Sequence, residues 1–562
     1  MADFQVSALT GEIEDATFYL IESMAPNNVD PPFEAEFTDP PSLSHLSVDA
    51  AVTQVAEALI SPDDPEDGAS LIIMVHGFNT PRDRALPFYN NAVKALKADQ
   101  TAIFGERRRR VVCVAYRWPS ESIGQVLWSS LPALPILPLW LLGFASIIVL
   151  LRVADEFARW RLWDEGPLIP LFNLAWWFTI VAVALLAFVV ISLLLRSIVY
   201  FRDVYRAINY GVPDLVEVIR QIDLEAAKLA ANFQKSDGRP RKRISLSFIG
   251  HSMGGLVVTN AIRVLSDVFD PSAILKRLSG APRVGTVQEA EVGRVPGKIG
   301  HVFTLERLVL ASPDIPAETL LSGRGNFLAS SLRRFREAYL FSNEGDEVLL
   351  LVSTIANYFT FPTRNRNYGY RLGNLEILSE EFGEIHKGDD GLLATLRVGG
   401  RTLRELSSDT HPAPTPGEPR QSAPQEETDS PAAVAKAFTY FDCTDCVAFP
   451  GGRGLLTEAR NYKARNREGR ISYLGHLWLM ARYIFPLASI NVHGGYFDGR
   501  ITQKLIFRLA CLGYDGAVAA YKTEQTSLPD ECQKHQIRLL RSKRLDHPLP
   551  REDMDLSEVS TA

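Results

Sequence analysis

The chain has few cysteines, no excess of basic residues and no apolar leader at its start. It carries five cysteines in 562 residues, an odd number, and its net charge is -7. So few cysteines do not make a disulfide framework, which favours a reducing compartment. Without a basic excess, we do not expect a nucleic-acid partner. The N-terminus lacks the basic and apolar parts of a signal peptide, so we expect no secretion.

Sequence motifs for metals and cofactors are also missing. The sequence contains no Walker loop, no EF-hand and no H-E-x-x-H pattern. Cys443 and Cys446 form a single C-x-x-C without a second pair or a histidine at ligand spacing, so we do not expect zinc. We therefore expect chemistry that needs no metal and no cofactor.

Two long stretches lack charge altogether, residues 122–151 and residues 166–195. Apolar stretches of this length predict two membrane-spanning helices, joined by the short polar loop 152–165 into a hairpin over residues 122–196. Pro132, Pro135 and Pro138 interrupt the first stretch, so its regular part is expected to be shorter. The alternative is a buried core hairpin or an apolar lid.

A hairpin places the rest of the chain on one side of the membrane. Arginines flank both the loop and the outer ends of the hairpin, and the positive-inside rule then favours a cytoplasmic main body. The missing signal peptide points the same way. We therefore expect a multi-pass membrane protein whose catalytic domain faces the cytoplasm.

Residues 244–258, ISLSFIGHSMGGLVV, combine an apolar strand, a G-x-S-x-G turn and an apolar helix start. This order is typical of a nucleophile elbow, in which Gly250 and Gly254 leave room for a sharp turn and Ser252 takes a strained conformation. Such a turn pushes the Ser252 hydroxyl out of the sheet, where it is approachable. The N–H of Met253, at the start of the helix, would face a developing oxyanion. A plain strand-turn-helix is the alternative.

A second strand-end loop predicts the rest of the oxyanion hole. Residues 71–80, LIIMVHGFNT, form a buried strand that ends in His-Gly. Gly77 allows a backbone turn that would direct the N–H of Phe78 or Asn79 towards the reacting carbonyl. An ordinary glycine loop with a structural histidine is the alternative. The next buried strand ends in Trp118-Pro119-Ser120, which could line the same pocket.

A serine hydroxyl needs an imidazole to take its proton and a carboxylate to orient that imidazole. We expect His493 to be this base, because it follows the last strand-like segment, lies in a glycine-flanked loop and completes the chain order Ser, acid, His. His476 and His386 are reserves. The other histidines considered lie in the two turns, in a proline-rich tract or in a polar tail: His76, His251, His411, His535 and His547.

Asp346 is the expected acid, since it follows the second strand after the elbow and precedes a helix. An aspartate before a helix is also a common N-cap. Asp314 is the rival, although the following proline and Glu318 suggest a structural N-cap there. Glu344 and Asp442 are weaker candidates.

These features divide the chain into six parts. Residues 407–432 are rich in Pro, Ser, Thr, Glu and Gln and predict a disordered linker. The predicted parts are 1–121 (N-terminal part of an α/β-hydrolase domain), 122–196 (transmembrane hairpin), 197–406 (hydrolase domain with elbow and acid), 407–432 (linker), 433–530 (end of the domain with the histidine) and 531–562 (polar tail).

Six short motifs together resemble a bacterial family of α/β-hydrolases of unknown function. They are VHGFNT at 75–80, WPS at 118–120, GHSMGG at 250–255, ASPD at 311–314, SNEGD at 342–346 and HGGYF at 493–497. The resemblance implies an α/β-hydrolase fold, with a mostly parallel sheet flanked by helices. It further implies a site made of the nucleophile, the base, the acid and three backbone donors: Ser252, His493, Asp346, Met253, Phe78 and Asn79.

The combined prediction is a membrane-anchored serine hydrolase that cleaves an ester, thioester or lipid acyl bond through an acyl-enzyme. Its partners would be a small-molecule or lipid ester and the lipid bilayer. One alternative is a non-catalytic membrane scaffold that uses the proline-rich tract for docking. Another is a serine peptidase with the same triad.

Overall fold

The computed structural model describes most of one unit of the chain and little of a second. Described are residues 4–13, 16–24, 43–60, 69–104, 110–120, 194, 197–265, 297–320, 331–332, 334–354, 369–385, 391–410, 432–447, 471, 475–476, 478–479, 492–541, 554 and 556. The two compact units are Met1–Ser120 with Val204–Ala562, and Glu121–Asp203.

The predicted transmembrane hairpin, residues 122–196, lies outside the described residues except for position 194. None of the helices that could be inspected for a bilayer span has the length and apolar character to make one. The residues 411–431 of the predicted linker are likewise outside the described part of the chain.

The elements of the described residues alternate between strands and helices. The strands are β1 Phe4–Ile13, β2 Ala16–Ser23, β3 Leu43–Leu46, β4 Ser70–Val75, β5 Val111–Arg117, β6 Ile244–His251, β7 Lys298–Ile299, β8 Phe303–Ala311, β9 Glu337–Ser342, β10 Glu376–Ile377, β11 Gly383–Ile385, β12 Leu396–Val398, β13 Arg401–Thr402, β14 Phe438–Asp442 and β15 Arg538–Leu540. The helices are α1 Val48–Leu59, α2 Arg82–Ala98, α3 Gln100–Phe104, α4 Val212–Asp237, α5 Met253–Leu265, α6 Leu392–Thr395, α7 Leu403–Thr410, α8 Ala432–Ala435, α9 Arg500–Thr523 and α10 Leu528–Lys534. A π-helical turn, Ala207–Gly211, leads directly into α4.

Most strands form one sheet in the order β11-β15-β14-β9-β8-β6-β4-β5-β2-β1-β3, and β7 pairs with β8. From β2 to β14 all neighbours are parallel, whereas β1 and β15 run antiparallel to the strands on their inner sides. Strands β10, β12 and β13 form a separate small sheet. The predicted α/β class, with a mostly parallel central sheet flanked by helices, is confirmed.

The central strands form because their sequences are mostly apolar. Every residue of β4, β5 and β6 is buried. A strand covered by helices on both faces needs such a continuous apolar run, whereas a half-exposed strand would alternate with polar residues. The helices also pack on one another: α1 contacts α4, α4 contacts α5, and α9 contacts α2.

The order in which successive strands are added to the sheet reverses between β4 and β6. After β4 it continues to β5 on one side, and after β6 it continues to β8 on the other side. Val75 and Gly250 are paired at the carboxyl ends of β4 and β6. In open α/β sheets a crevice forms outside the carboxyl ends of two such strands, and ligands bind there.

The structure corrects the predicted polar tail at its beginning. Residues 531–541 belong to the folded unit, because α10 continues to Lys534 and β15 lies between β14 and β11 in the sheet. Leu539 and Leu540 are fully buried, and His535 is buried with its Nδ1 2.8 Å from the Val447 carbonyl oxygen. The strand is three residues long and has basic neighbours, so it carries no periodic signal in the sequence.

Arg508 on α9 joins the C-terminal helices to the N-terminal half. Its side chain is fully buried, and Nε and Nη2 donate to the two carboxylate oxygens of Asp99 at 2.6 and 2.7 Å. Nη2 also donates to Glu524, and the guanidinium stacks over the Tyr521 ring at 4.3 Å. A planar, bidentate pair of this kind holds α9 to the end of α2.

We predict that Arg508→Met lowers the free energy of unfolding by about 3–5 kcal/mol, because it leaves the Asp99 carboxylate largely buried without a cation. Urea unfolding followed by circular dichroism measures this loss. Lys504→Met is the matched control, since Lys504 is part-exposed and also pairs with Glu524. The control should change stability by about 1 kcal/mol or less. Equal effects of both variants would refute the role assigned to Arg508.

Candidate active site

Ser252 forms a one-residue turn between β6, which ends at His251, and α5, which begins at Met253. Its backbone is left-handed, with a φ of 53°, a conformation that costs energy for a residue with a side chain. The turn needs its glycines, because a Cβ at Gly254 would lie 2.4 Å from the Val75 carbonyl oxygen. A Cβ at Gly250 would lie 2.8 Å from the Gly255 Cα. The local geometry is that of a sharp strand-to-helix elbow.

The structure brings Ser252, His493 and Asp346 together in one chain of hydrogen bonds. The Ser252 Oγ lies 2.8 Å from His493 Nε2, and His493 Nδ1 lies 2.7 Å from the Asp346 Oδ2. Because a carboxylate accepts, Nδ1 carries the proton and Nε2 is left to accept the serine proton. Each residue comes from a different loop at the carboxyl edge of the sheet.

The Asp346 carboxylate is fully buried and accepts several hydrogen bonds. Ser312 Oγ donates to Oδ2, while the backbone N–H groups of Val348 and Leu349 donate to Oδ1 at 3.1 and 3.2 Å. Asp346 is therefore both the N-cap of the following helical turn and the partner of His493. The two roles that the sequence left open for this residue are compatible.

Asp346 makes the His493 imidazole a stronger base than an isolated histidine. Burial alone lowers its pKa, but the charge and hydrogen bond of Asp346 outweigh burial, so the pKa lies above its ordinary value. Asp314 adds to this rise from a greater distance. The carboxylate is thus placed to stabilise a positive charge on the His493 ring.

Ser252 is less open than the sequence suggested. The residue is only 1% exposed, whereas the elbow motif predicts an approachable hydroxyl. His493 covers it on one side, and Gly77 approaches so closely that a Cβ there would lie 2.7 Å from the Ser252 Cβ. The expectation of an open hydroxyl is wrong because motif spacing does not reveal the loops that fold over the turn.

The predicted oxyanion donors lie on both sides of Ser252. Met253 follows the serine as the first residue of α5, and Phe78 and Asn79 follow Gly77. Phe78 is buried, and Asn79 has a φ of 58°, so the chain turns sharply after Gly77. Asn79 is one of the residue types that tolerates this left-handed conformation.

His251 lies against His493, with the two ring centroids 4.9 Å apart. Burial, followed by the nearby charge of His493, lowers the pKa of His251 to about 3, so its ring is neutral. Its Nε2 lies 3.0 Å from the His493 carbonyl oxygen and donates to it. His251 therefore orients the His493 loop and is not a second base.

Asp314, the rival acid, is directed elsewhere. Its carboxylate pairs with Arg371 at 3.0 Å and accepts from Ser353 Oγ at 3.0 Å. Its backbone N–H donates to the Ser252 carbonyl oxygen at 3.0 Å, so the residue supports the elbow through its main chain.

The other candidates also lie outside the triad. Burial, and then the charge of Glu376, raises the pKa of Glu344 to about 8. Asp442 accepts from the Ile377 N–H and pairs with Arg538. His476 Nδ1 lies 2.7 Å from the Glu347 Oε1. The remaining candidates, His386, His411 and His547, are outside the described residues.

Three side chains that hold the triad were not recognised in the sequence. Ser312 donates to Asp346, Asn343 Nδ2 donates to the Val492 carbonyl oxygen at 2.9 Å, and Asn374 Nδ2 donates to the Asp346 carbonyl oxygen at 3.0 Å. Ser312 and Asn343 directly follow β8 and β9, and this strand-end position is the signal that could have identified them. Asn374 ends a short 3₁₀ turn, Leu372–Asn374, and carries no such signal.

Cys443 and Cys446 are buried free thiols at the end of β14. Among the residues open to inspection, no cluster of His, Cys, Asp and Glu side chains has the composition to hold a metal ion.

No protein-family model, curated protein or solved structure matches this chain. The resemblance to a hydrolase family therefore stays a prediction, and the chemistry of the site is argued from its geometry.

We predict that Asp346→Asn lowers kcat by about 10³- to 10⁴-fold on any substrate the site turns over. The amide would donate to His493 Nδ1 and so favour the wrong tautomer. Asp314→Asn is the matched control, because it changes an equally buried aspartate that binds Arg371 instead. It should reduce stability while changing kcat by less than about tenfold. A more severe kcat loss in Asp314→Asn would exchange the two assignments.

The pH profile gives a second readout of the same variant. Because the base must be neutral, the activity of the wild type falls as the pH drops through the raised pKa of His493. Asp346→Asn removes the charge that raises this pKa. The acidic limb of the residual activity should therefore move to lower pH, and a limb that stays in place would show that Asp346 does not control the base.

Proposed function

We propose that this protein is a serine hydrolase of the α/β-hydrolase fold that cleaves ester or thioester bonds through an acyl-enzyme. The observation that carries the proposal is the hydrogen-bonded chain from Asp346 through His493 to Ser252. Nucleophile, base and orienting carboxylate within hydrogen-bond reach of each other are the signature of nucleophilic catalysis.

The reaction follows from the roles of these three groups. Ser252 Oγ attacks the substrate carbonyl carbon while His493 Nε2 takes the hydroxyl proton. The carbonyl oxygen becomes an oxyanion that accepts hydrogen bonds from the N–H of Met253 and from the Phe78-Asn79 turn. When the bond to the leaving alcohol or thiol breaks, His493 returns the proton to it. Water, deprotonated by His493, then attacks the acyl carbon, and His493 returns that proton to Ser252 Oγ as the bond to the serine breaks and the acid leaves.

The position of the site in the sheet supports the same proposal. Ser252 follows the strand next to the point where strand order reverses, and ligands bind at such points in open α/β sheets. The chain order Ser252, Asp346, His493 and the strand-turn-helix around the serine match what the α/β-hydrolase fold requires. A scaffold without catalysis would not need a complete triad.

We further propose that residues 122–196 anchor the enzyme in a membrane, with the catalytic unit on the cytoplasmic side. The charge-free stretches in the sequence support this assignment. An enzyme held at a bilayer meets lipid-borne esters at a high local concentration, so a lipid or another membrane-dissolved ester is the proposed substrate class.

Ser252→Ala should abolish both labelling by a fluorophosphonate probe and hydrolysis of a p-nitrophenyl ester, because it removes the nucleophile and only one oxygen atom from the core. Gel fluorescence and absorbance measure the two effects. Ser247→Ala is the matched control, since Ser247 is a buried serine on β6, the strand that leads to Ser252. The control should keep labelling and turnover. Labelling that persists in Ser252→Ala, or a wild type that never labels, would favour the scaffold.

Replacing residues 125–196 by a short Gly/Ser linker should release the protein from the membrane fraction, since these residues contain the charge-free stretches. The variant should still hydrolyse water-soluble esters but lose rate on esters embedded in vesicles, because the triad is intact and only the tether is lost. Fractionation and the two assays test this. A variant that is inactive on the soluble ester would show that the segment is part of the core or the pocket.

A further inference from the structure

The oxyanion loop, residues 76–80, is held in place by Trp118 from the end of β5. Trp118 is fully buried, and its ring stacks on the His76 imidazole with centroids 5.2 Å apart and planes 10° from parallel. Its Nε1–H also donates to the His76 carbonyl oxygen at 2.9 Å. One side chain therefore fixes both the ring and the backbone of the residue before Gly77.

His76 passes this constraint on to the next peptide. Burial is the main cause that lowers the pKa of His76 to about 3, so the ring is neutral and has one N–H to donate. Nδ1 lies 2.8 Å from the Gly77 carbonyl oxygen, and Nε2 lies 3.2 Å from the Trp118 carbonyl oxygen. Because the Nδ1 distance is the shorter one, we assign the N–H to Nδ1, which then donates to the Gly77 carbonyl oxygen.

The direction of the Gly77 carbonyl determines the direction of an oxyanion donor. In a planar trans peptide the C=O and the following N–H point opposite ways. A Gly77 carbonyl that is bound to His76 therefore fixes the direction of the Phe78 N–H. Rate loss from a misplaced group is steep, because a shift of about 1 Å costs on the order of a hundredfold.

Trp118 is itself held by a close contact with Gly211. Gly211, the last residue of the π-helical turn, packs so closely that a Cβ there would lie 2.8 Å from the Trp118 Cβ. The Tyr116 hydroxyl donates to the Gly211 carbonyl oxygen at 2.6 Å. Ser120, which is also buried, accepts from the Thr80 N–H at 3.2 Å and so binds the far end of the oxyanion loop.

Trp118, Ser120 and Gly211 lie close to the two positions where the chain leaves and re-enters the larger unit. The unit is interrupted after Ser120 and resumes at Val204, and Gly211 lies seven residues beyond that return. The two segments next to the interruption thus carry the contacts that shape the oxyanion loop.

We propose that Trp118 is a positioning residue for catalysis, which acts through His76 to aim the Phe78 N–H at the oxyanion. Gly211 packs against Trp118, and Ser120 holds the far end of the same loop. This inference rests on the proposed hydrolase function. Trp118 touches no reacting atom; its effect on the rate comes from the direction it imposes on the loop.

The test compares two substitutions that each delete one buried hydrogen bond to a backbone carbonyl. Trp118→Phe keeps an aromatic ring against His76 but loses the Nε1–H. Tyr440→Phe is the matched control, since Tyr440 is equally buried on β14 and donates to the Ala435 carbonyl oxygen at 2.7 Å. Both are measured for Tm, for kcat and KM on a p-nitrophenyl ester, and for the rate of inactivation by a fluorophosphonate, whose oxygen occupies the oxyanion hole.

We expect Trp118→Phe to lower kcat and the inactivation rate by about 10- to 100-fold with KM nearly unchanged, because a misdirected donor weakens only transition-state binding. Tyr440→Phe should change neither rate by more than about threefold, although its Tm falls by a similar amount. Equal rates in the two variants would overturn the inference, since Trp118 would then be a core residue only. A rise in KM at unchanged kcat would overturn it as well.

If Trp118→Phe does not fold, Ser120→Ala provides the test, because it removes only the oxygen that binds the Thr80 N–H. It should lower kcat several-fold at unchanged KM, and an unchanged kcat would overturn the inference. Failure of the proposed function is recognised separately. A folded wild type that neither labels nor hydrolyses would overturn both, whereas an active wild type with a fully active variant overturns this inference alone.

Discussion

The active site depends on the close contact between the ends of β4 and β6. Gly254 lies against the Val75 carbonyl, and Gly77 lies against Ser252, at distances that leave no room for a Cβ at either position. Because these backbones touch, the nucleophile and the oxyanion loop share one crevice. The left-handed conformation of Ser252 follows from the same contact, since the chain must enter α5 within a single residue. The remaining groups of the site are placed around this point.

The triad adds a second constraint, which is the burial of a carboxylate. Asp346 has no solvent to stabilise its charge, so its oxygens are bound by Ser312, by two backbone N–H groups and by His493. Asn343 then ties the strand end before Asp346 to the loop that carries His493. Stability and reactivity are therefore linked here, because the bonds that make the buried charge tolerable also orient the base.

Strand ends explain what could be predicted from the sequence. Ser252 and Asp346 could be placed because parallel strands deliver the residues that follow them to one edge, and the α/β class followed from continuous apolar runs. Ser312 and Asn343 lie at the same edge but belong to residue types that are common in turns, so they did not stand out. β15 has only three residues, too few to show the alternation of apolar and polar residues that indicates a strand. The burial of Ser252 depends on loops that follow other strands and fold over it. Contacts between segments far apart in the chain, such as Trp118 with His76, produce no pattern of residue spacing in the sequence.

The reversal of strand order also affects how the chain can fold. One edge of β4 pairs with β5, which follows it closely in the chain. The other edge pairs with β6, which is synthesised only after residues 121–203 and α4. Until β6 is made, an apolar strand keeps a row of unpaired backbone groups. Such an edge invites pairing with the wrong strand or with another chain, and long-range parallel pairing is slow. The strand order that places the candidate site therefore also leaves one edge of β4 exposed during synthesis until β6 has been made.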